Sequence, residues 1–347
     1  MELRECGRSG LKLSVLGLGC WAFGGGEYWG RQDQSDVDAV VRRAFDLGVN
    51  YFDTAEVYNE GRSESSLGQA LRDLPRDRVV IGTKVSPAHV QPATLLRRCE
   101  ASLRRLGTDY IDLYMVHWPI TPLSIRHFGA EASACPAVDD AFATLLRLRD
   151  QGKVRQVGVS NHSLARLDEA LHQCPTLVAN ELPYNLLSRA IEWETLPGCA
   201  ERGVGVIGYM ALLQGVLTDR YPTLAEIRPW QRRTRHFDAA GARGARHGLG
   251  GEEEATRSAL NQLRSLCREQ GRTLAEVALM WTAANAGLTC SLVGSRSIAQ
   301  VEANLRAVER PMAAEVMARL DAITRPLKER LGRSFDYYES PENDRTR

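Results

Sequence analysis

The chain has 347 residues, 44% of them hydrophobic and 25% charged, with a formal net charge of +1. That is the composition of an ordinary globule with enough chain to bury a sizeable core. The near-neutral balance leaves no electrostatic footprint for nucleic acid or an anionic membrane, no apolar run reaches bilayer-spanning length, and the opening MELRECGRSG lacks the apolar stretch of a signal peptide.

From the N-terminus onward, short apolar β-rich runs alternate with amphipathic stretches of helical length. A strand is expected at 15–19 with a helix at 35–47, then 51–53 with 63–71, 79–84 with 92–106, and 111–117 with 137–151. The rhythm continues with 156–160 and 163–172, 178–181 and 192–202, 206–209 and 273–284, and 291–293 and 298–308. Such alternation predicts parallel strands joined by crossover helices. VVIGTK and IDLYMVH are apolar on both faces, as buried parallel strands are. Ser35 is placed to cap the first helix and Pro92 to start another, and Gly48 and Gly107 to stop those same two. Three long segments break the pattern: 118–136, 215–254 and a polar C-terminal tail at 326–347. Loops of that length in a compact domain are functional or disordered.

Two α/β architectures compete. An open doubly wound sheet carries a glycine fingerprint after its first strand, where a helix begins. Here GLGCWAFGGG has no third glycine at the required place and no helix starts there, so Gly24, Gly25 and Gly26 make a loop. The better fit is a closed (β/α)8 TIM barrel with long loops at its C-terminal face. It would be a single domain over 1–347, with a core at about 11–323 and the tail beyond 326. Functional residues in that fold sit at strand C-terminal ends. Asp53, Lys84, His117, Asn161, Glu181, Tyr209 and Ser295 all fall at or just past such ends. The eight cysteines contain no CxxC pair, which argues against a zinc site or a disulfide framework and for reduced thiols in a cytoplasmic protein. No metal is expected.

Asp53, Tyr58, Lys84 and His117 supply a carboxylate, a phenol, an ammonium and an imidazole. A free tyrosine, with a pKa of about 10, is too weak an acid for neutral pH unless shifted. A neighbouring ammonium lowers that value by stabilising the phenolate, and a carboxylate holds the ammonium in place. The imidazole can orient a carbonyl oxygen by a hydrogen bond. Together the four can protonate a carbonyl oxygen while hydride reaches its carbon.

These residues lie in YFDTAEVYNEGRSE, GTKV and DLYMVHWP, followed in order by GVSN, ELPYNLL and VGSRSIAQVEANL. The chain resembles the aldo-keto reductase family along nearly its whole length. The resemblance implies a barrel oxidoreductase that uses NADPH, or less often NADH. By position it makes Tyr58 the general acid, with Lys84 and Asp53 tuning it and His117 positioning the carbonyl. It also implies that Trp21 and Asp53 lie beside the cofactor, that Ser160, Asn161 and Glu181 hold the nicotinamide carboxamide, and that Tyr209 stacks on its ring. The backbone around Leu212, Gln214 and Gly215 would meet the pyrophosphate. Gly294, Ser295 and Arg296 would face the 2′-phosphate, with Gln300 and Asn304 around the adenine.

Three departures stand out. Glu181 occupies a place where relatives carry Gln, and a carboxylate accepts hydrogen bonds but donates none unless protonated. Met210-Ala211-Leu212 replaces Ser-Pro-Leu after Tyr209, and Ala303 replaces an acidic residue beside Asn304. The segment QRRTRHFDAAGARGARHG is read either as a cover over phosphates or anionic substrates, or as a solvated loop. The implied activity is reduction of an aldehyde, ketone or sugar carbonyl. The alternatives are oxidation of a sugar or polyol hydroxyl, with Trp21, Trp29, Trp118 and His127 set to stack on sugar faces, and a non-catalytic cofactor-binding subunit. Substrate identity and oligomeric state are not legible.

Overall fold

The computed structural model describes residues 1–129, 135–248 and 250–347. An antiparallel hairpin comes first, β1 (Leu3–Glu5) with β2 (Lys12–Ser14). Eight strands follow: β3 (Leu16–Gly19), β4 (Tyr51–Asp53), β5 (Val80–Val85), β6 (Ile111–Val116), β7 (Val154–Ser160), β8 (Ala179–Pro183), β9 (Gly205–Tyr209) and β10 (Cys290–Val293). Each pairs in parallel with the next, and β10 returns to β3 to close the barrel. The fold is the (β/α)8 TIM barrel that the alternation predicts.

The helices are α1 (Gln34–Asp46), α2 (Arg62–Leu71), α3 (Pro92–Leu106), α4 (Pro122–His127), α5 (Val138–Asp150), α6 (Leu164–Gln173), α7 (Thr195–Glu201), α8 (Glu253–Glu269), α9 (Leu274–Ala284), α10 (Ile298–Val308) and α11 (Ala314–Leu331). Several boundaries follow local chemistry. Pro92 opens α3, and Gly48 and Gly107 adopt φ of +92° and +65° just past helix ends, where a side chain is strained. Ser35 does not cap α1. Asp33 takes the cap position, and Ser35 lies inside the first turn.

α8 and α11 were not expected. α8 is mostly polar, with a narrow buried stripe that includes Leu260, Leu263 and Leu266. α11 runs through Pro326, which reads as a stop signal because proline removes a backbone donor. Packing of Leu320, Leu327 and Leu331 keeps it helical regardless.

The hairpin floors the barrel. Cys6 and Leu13 pack with Tyr51, Leu113, Ile207 and Leu292 in an interior cluster separate from the larger core between strands and helices. Tyr51 lies across this interior because β5 offers Gly82, where a Cβ would meet the tyrosine hydroxyl at 2.2 Å.

At the opposite end, the segment read as a polar tail is a buried cover. Phe335, Asp336, Tyr337, Asp344, Arg345 and Thr346 are all buried. Arg345 pairs with Asp336 at 2.7 and 2.8 Å, and its guanidinium lies 3.9 Å from the Trp118 ring centroid. Ser163 donates its backbone N–H to the Thr346 carbonyl at 3.0 Å.

The arginine-rich segment belongs to the same cover. Arg235 donates to the Leu331 and Ser334 carbonyls, Arg232 pairs with Glu253, and Arg246 pairs with Glu339. Parts of the long segments 118–136 and 215–254, at 130–134 and 249, lie outside the described residues. Among the described residues, no helix is long and apolar enough to cross a membrane.

Candidate active site

Strand register places the four expected residues together. Asp53 ends β4 beside Gly82, Lys84 stands on β5 beside Met115, and His117 follows β6. Tyr58 begins a single 3₁₀ turn in which Asn59 and Glu60 take φ of 49° and 59°. Asn59 holds that turn by donating to the Trp21 and Phe23 carbonyls at 2.9 and 2.8 Å. The Lys84 ammonium lies 2.7 Å from both Asp53 oxygens and 3.0 Å from the Thr54 carbonyl. It stands 5.2 Å from the Tyr58 ring centroid, and the rings of Tyr58 and His117 meet edge-on at 5.6 Å. Trp21 lies 5.9 Å from Tyr58.

The electrostatics differ from the simple expectation for Tyr58. Protein packed around the phenol pushes its pKa up, and although Lys84 pulls it down, burial wins. The resting side chain is therefore a neutral phenol with a proton to give. Burial alone would strip the Lys84 proton, but Asp53 and Glu181 outweigh it and hold the ammonium charged. Burial, with help from Lys84, His127 and Arg345, drives His117 well below the usual imidazole range. A neutral imidazole keeps one N–H to donate.

Other site residues form a continuous chain of hydrogen bonds. Tyr209 donates to Asn161 Oδ1 at 2.8 Å, Asn161 Nδ2 donates to the His117 carbonyl at 3.1 Å, and Ser160 donates to the Glu181 carbonyl at 3.0 Å. After β9 the chain takes an unusual backbone path. Met210, Leu213 and Gln214 have φ of 61°, 43° and 55°, and Gly215 follows at 97°. With Asn59, Glu60 and Asn161, these are all the non-glycine positive-φ residues among those described, and every one follows a strand at this face. Backbone strain concentrated in this way marks functional positions.

At the far side, Asn304 donates to Ser295 at 3.1 Å, and Gln300 accepts from the Arg296 backbone at 2.7 Å. Gly294 sits between β10 and this turn, where an added Cβ would meet the Gly19 carbonyl at 3.6 Å. Arg296 does not point into open space. Its guanidinium donates to the carbonyls of Trp29 and Arg31, tying the loop after β3 to the loop after β10.

Glu181 also differs from expectation. Its Oε1 stands 3.2 Å from Lys84, and its Oε2 is buried without a partner. Reading the sequence missed Tyr51, whose hydroxyl donates to Asp53 Oδ2 at 3.4 Å. The strand period of two already placed both side chains on one face of YFD. It also missed Tyr338, which accepts from Gln214 Nε2 at 2.9 Å, and Tyr28, which donates to Gln214 Oε1. No local signal marks either tyrosine.

The sequence profile of the Aldo/keto reductase family matches residues 15–325. The chain belongs to the aldo/keto reductase family. It is therefore an oxidoreductase. An NADH-specific methylglyoxal reductase of Escherichia coli is 32% identical over 89% of this chain and 94% of its own. Aldo-keto reductase YhdN of Bacillus subtilis is 31% identical, covering 87% of each. Among solved structures, the thermostable aldo-keto reductase Tm1743, crystallised with the inhibitor epalrestat, superposes with a TM-score of 0.72 at 26% identity, covering 93% of this chain and all of that one. An aldo/keto reductase from Klebsiella pneumoniae in complex with NADP and acetate gives 0.69 at 27% identity, covering 93% and 96%.

Proposed function

We propose that this aldo/keto reductase uses NADPH to reduce an aldehyde, ketone or sugar carbonyl to the alcohol, with Tyr58 as general acid. The observation that carries the reading is the buried ammonium of Lys84, 2.7 Å from both Asp53 oxygens and 5.2 Å from the Tyr58 ring. When bound, the nicotinamide supplies hydride to the carbonyl carbon; the chain's residues manage the oxygen. Neutral His117 donates its N–H to that oxygen and orients it. Tyr58 gives up its proton as negative charge develops there. Lys84 then stabilises the phenolate left behind, and Asp53 keeps Lys84 charged and fixed.

The residues present suit such a cofactor. Met210, Leu213, Gln214 and Gly215 take positive φ after β9, the kind of backbone from which anion-binding nests are built. We assign Leu212, Gln214 and Gly215 to the pyrophosphate and Tyr209, with Trp21 nearby, to the nicotinamide ring. Ser160, Asn161 and the unpartnered Glu181 Oε2 would hold the carboxamide. Gly294, Ser295 and Arg296 precede the N-terminus of α10, where the helix dipole favours a phosphate. Gln300 and Asn304, on α10, would flank the adenine. Arg296 must leave the Trp29 and Arg31 carbonyls to reach a 2′-phosphate, so it is a clasp as well as a ligand. An arginine here favours NADPH over NADH. The free cysteines, nearly all buried, suit a reducing compartment such as the cytoplasm.

The test is consumption of NADPH by the purified protein with a panel of small aldehydes, ketones and sugars. Tyr58→Phe should lose about a thousandfold in turnover while keeping cofactor affinity, since general acid catalysis contributes ~10²–10⁴. Undiminished turnover in that variant would remove Tyr58 from its role.

A further inference from the structure

Lys84 has two carboxyl neighbours inside the barrel. Asp53 makes the closer contact, at 2.7 Å, and Glu181 Oε1 stands 3.2 Å from the same nitrogen. The three side chains are 0%, 4% and 3% exposed for Lys84, Asp53 and Glu181. Both carboxyl groups thus crowd one buried nitrogen. Two ionised carboxylates around a single ammonium are unbalanced, which calls for a proton on one of them. Glu181 Oε2, buried and otherwise unpartnered, is the free oxygen of the pair.

Charge counting leads to the same place. Two carboxylates and one ammonium leave a net negative charge in a space water does not reach, and like charges this close do not both ionise. The surroundings cannot absorb that charge. The titratable groups facing Glu181 from other elements are Tyr51 on β4, Tyr58 after it, Tyr209 on β9 and Cys290 on β10. Burial pushes each of these upward, so each stays neutral.

We propose that Asp53 and Glu181 share one proton within the barrel, and that Glu181 is thereby a positioning residue that sets how readily Tyr58 releases its own proton. The proposal rests on the reading of Tyr58 as the acid. With the shared proton present, the cluster of Asp53, Glu181 and Lys84 is neutral, and a Tyr58 phenolate adds a single negative charge. Once the shared proton is lost, the same phenolate adds a second negative charge to an already anionic cluster. Tyr58 is then a weaker acid, and reduction slows as pH rises through the titration of the pair, which behaves as one coupled unit. Burial raises both carboxyl groups, and repulsion from Asp53 raises Glu181 further, so this step lies above the ordinary carboxylate range.

Glu181→Gln separates this from a packing role, because glutamine has the shape and neutrality of the protonated acid at every pH. With saturating NADPH and a small aldehyde, the ratio of E181Q to wild-type turnover should rise about tenfold with pH, the change carried by ~1 pKa unit at Tyr58. The wild-type infrared spectrum at neutral pH should show a protonated carboxyl stretch that the E181Q difference spectrum lacks. An acid whose folded pKa is raised stabilises the fold below its ordinary pKa, and that stability is lost as pH rises through the raised value. The melting temperature of E181Q should therefore gain on the wild type as pH increases.

A turnover ratio that stays flat with pH, or a missing carboxyl band, would overturn the proposal. Should E181Q fail to fold, E181M of similar volume gives the same infrared comparison. Should Tyr58→Phe keep full turnover, the acid reading fails, yet the infrared band and the melting trend still decide whether the proton is shared.

Discussion

The barrel mouth and the cover above it are built on different principles. At the mouth, Asp53, Lys84 and Glu181 are held by strands whose backbone ladders set every side chain's height and direction. In the cover, chain from distant positions is held by side-chain hydrogen bonds and ion pairs: Arg235 on the Leu331 and Ser334 carbonyls, Arg345 on Asp336, Gln214 on the Tyr338 hydroxyl. Position is thus inherited from the fold in one region and assembled contact by contact in the other. A single substitution at the mouth should show first in the chemistry, whereas in the cover it should show first in local order.

The widest separation between the two regions is expected at Lys84. Lys84→Met removes the cation that meets the phenolate and leaves Asp53 and Glu181 buried without it. Turnover should fall by about a thousandfold or more, and stability by ~3–5 kcal/mol, the cost of breaking one side of a buried ion pair. Steady-state kinetics and chemical denaturation measure the two. A variant that keeps a tenth of wild-type turnover would show that the ladder, not the charge, matters at the mouth.

Next is Arg345→Met, which strands Asp336 in the cover. Here ~3 kcal/mol should be lost from residues 334–346 first, seen as faster amide hydrogen exchange in that segment with the barrel strands still protected. Uniformly faster exchange through β3 to β10 would mean that the cover and barrel fold as one unit and are not built on different principles.

Arg296 lies on the boundary, as a clasp between two loops. Arg296→Met should weaken NADPH binding by about tenfold, consistent with ~1.5–3 kcal/mol for hydrogen bonds to a charged group, partly offset by freeing the loop. NADH affinity should change by less than about threefold, because NADH has no 2′-phosphate. Equal losses for both cofactors, measured by fluorescence titration, would assign Arg296 to loop closure alone.

The smallest effect compares one histidine from each region. His162 at the mouth and His236 in the cover are each lowered to about 4 by burial. A histidine with a depressed folded pKa contributes stability above its ordinary value of ~6.5, and that stability drains away as pH falls toward the depressed one. Melting temperature should therefore hold near neutrality and fall between about pH 6.5 and 4. Replacing His236 with Gln should flatten that fall within the cover while leaving the His162 contribution.

Much of the mouth was legible because short-range rules govern it. Runs such as IDLYMVH can only be buried strands, and a parallel barrel makes their last residues neighbours. Tyr51 was missed, although the same strand period puts it on one face with Asp53. Glu181 could be read as a departure but not as a partner of Lys84. That contact depends on β4, β5 and β8 closing around one interior, and nothing local reports the distance across a barrel.

The cover shows the reverse. Residues 334–346 look polar and tail-like because their burial rests on long-range pairs such as Arg345 with Asp336 and Trp118, which leave no periodic trace. Pro326 argued for an end to helix where tertiary packing carries α11 onward to Leu331. The sequence by itself determined the barrel, the positions of the four chemical groups and the family, because strand period, helix punctuation and residue order act over a few residues. Only the tertiary structure decided that two carboxyls flank one lysine, that Tyr58 rests as a neutral phenol and that the chain's end roofs the site. Each of these depends on burial and on distances between groups far apart in sequence, which exist only once the barrel has closed.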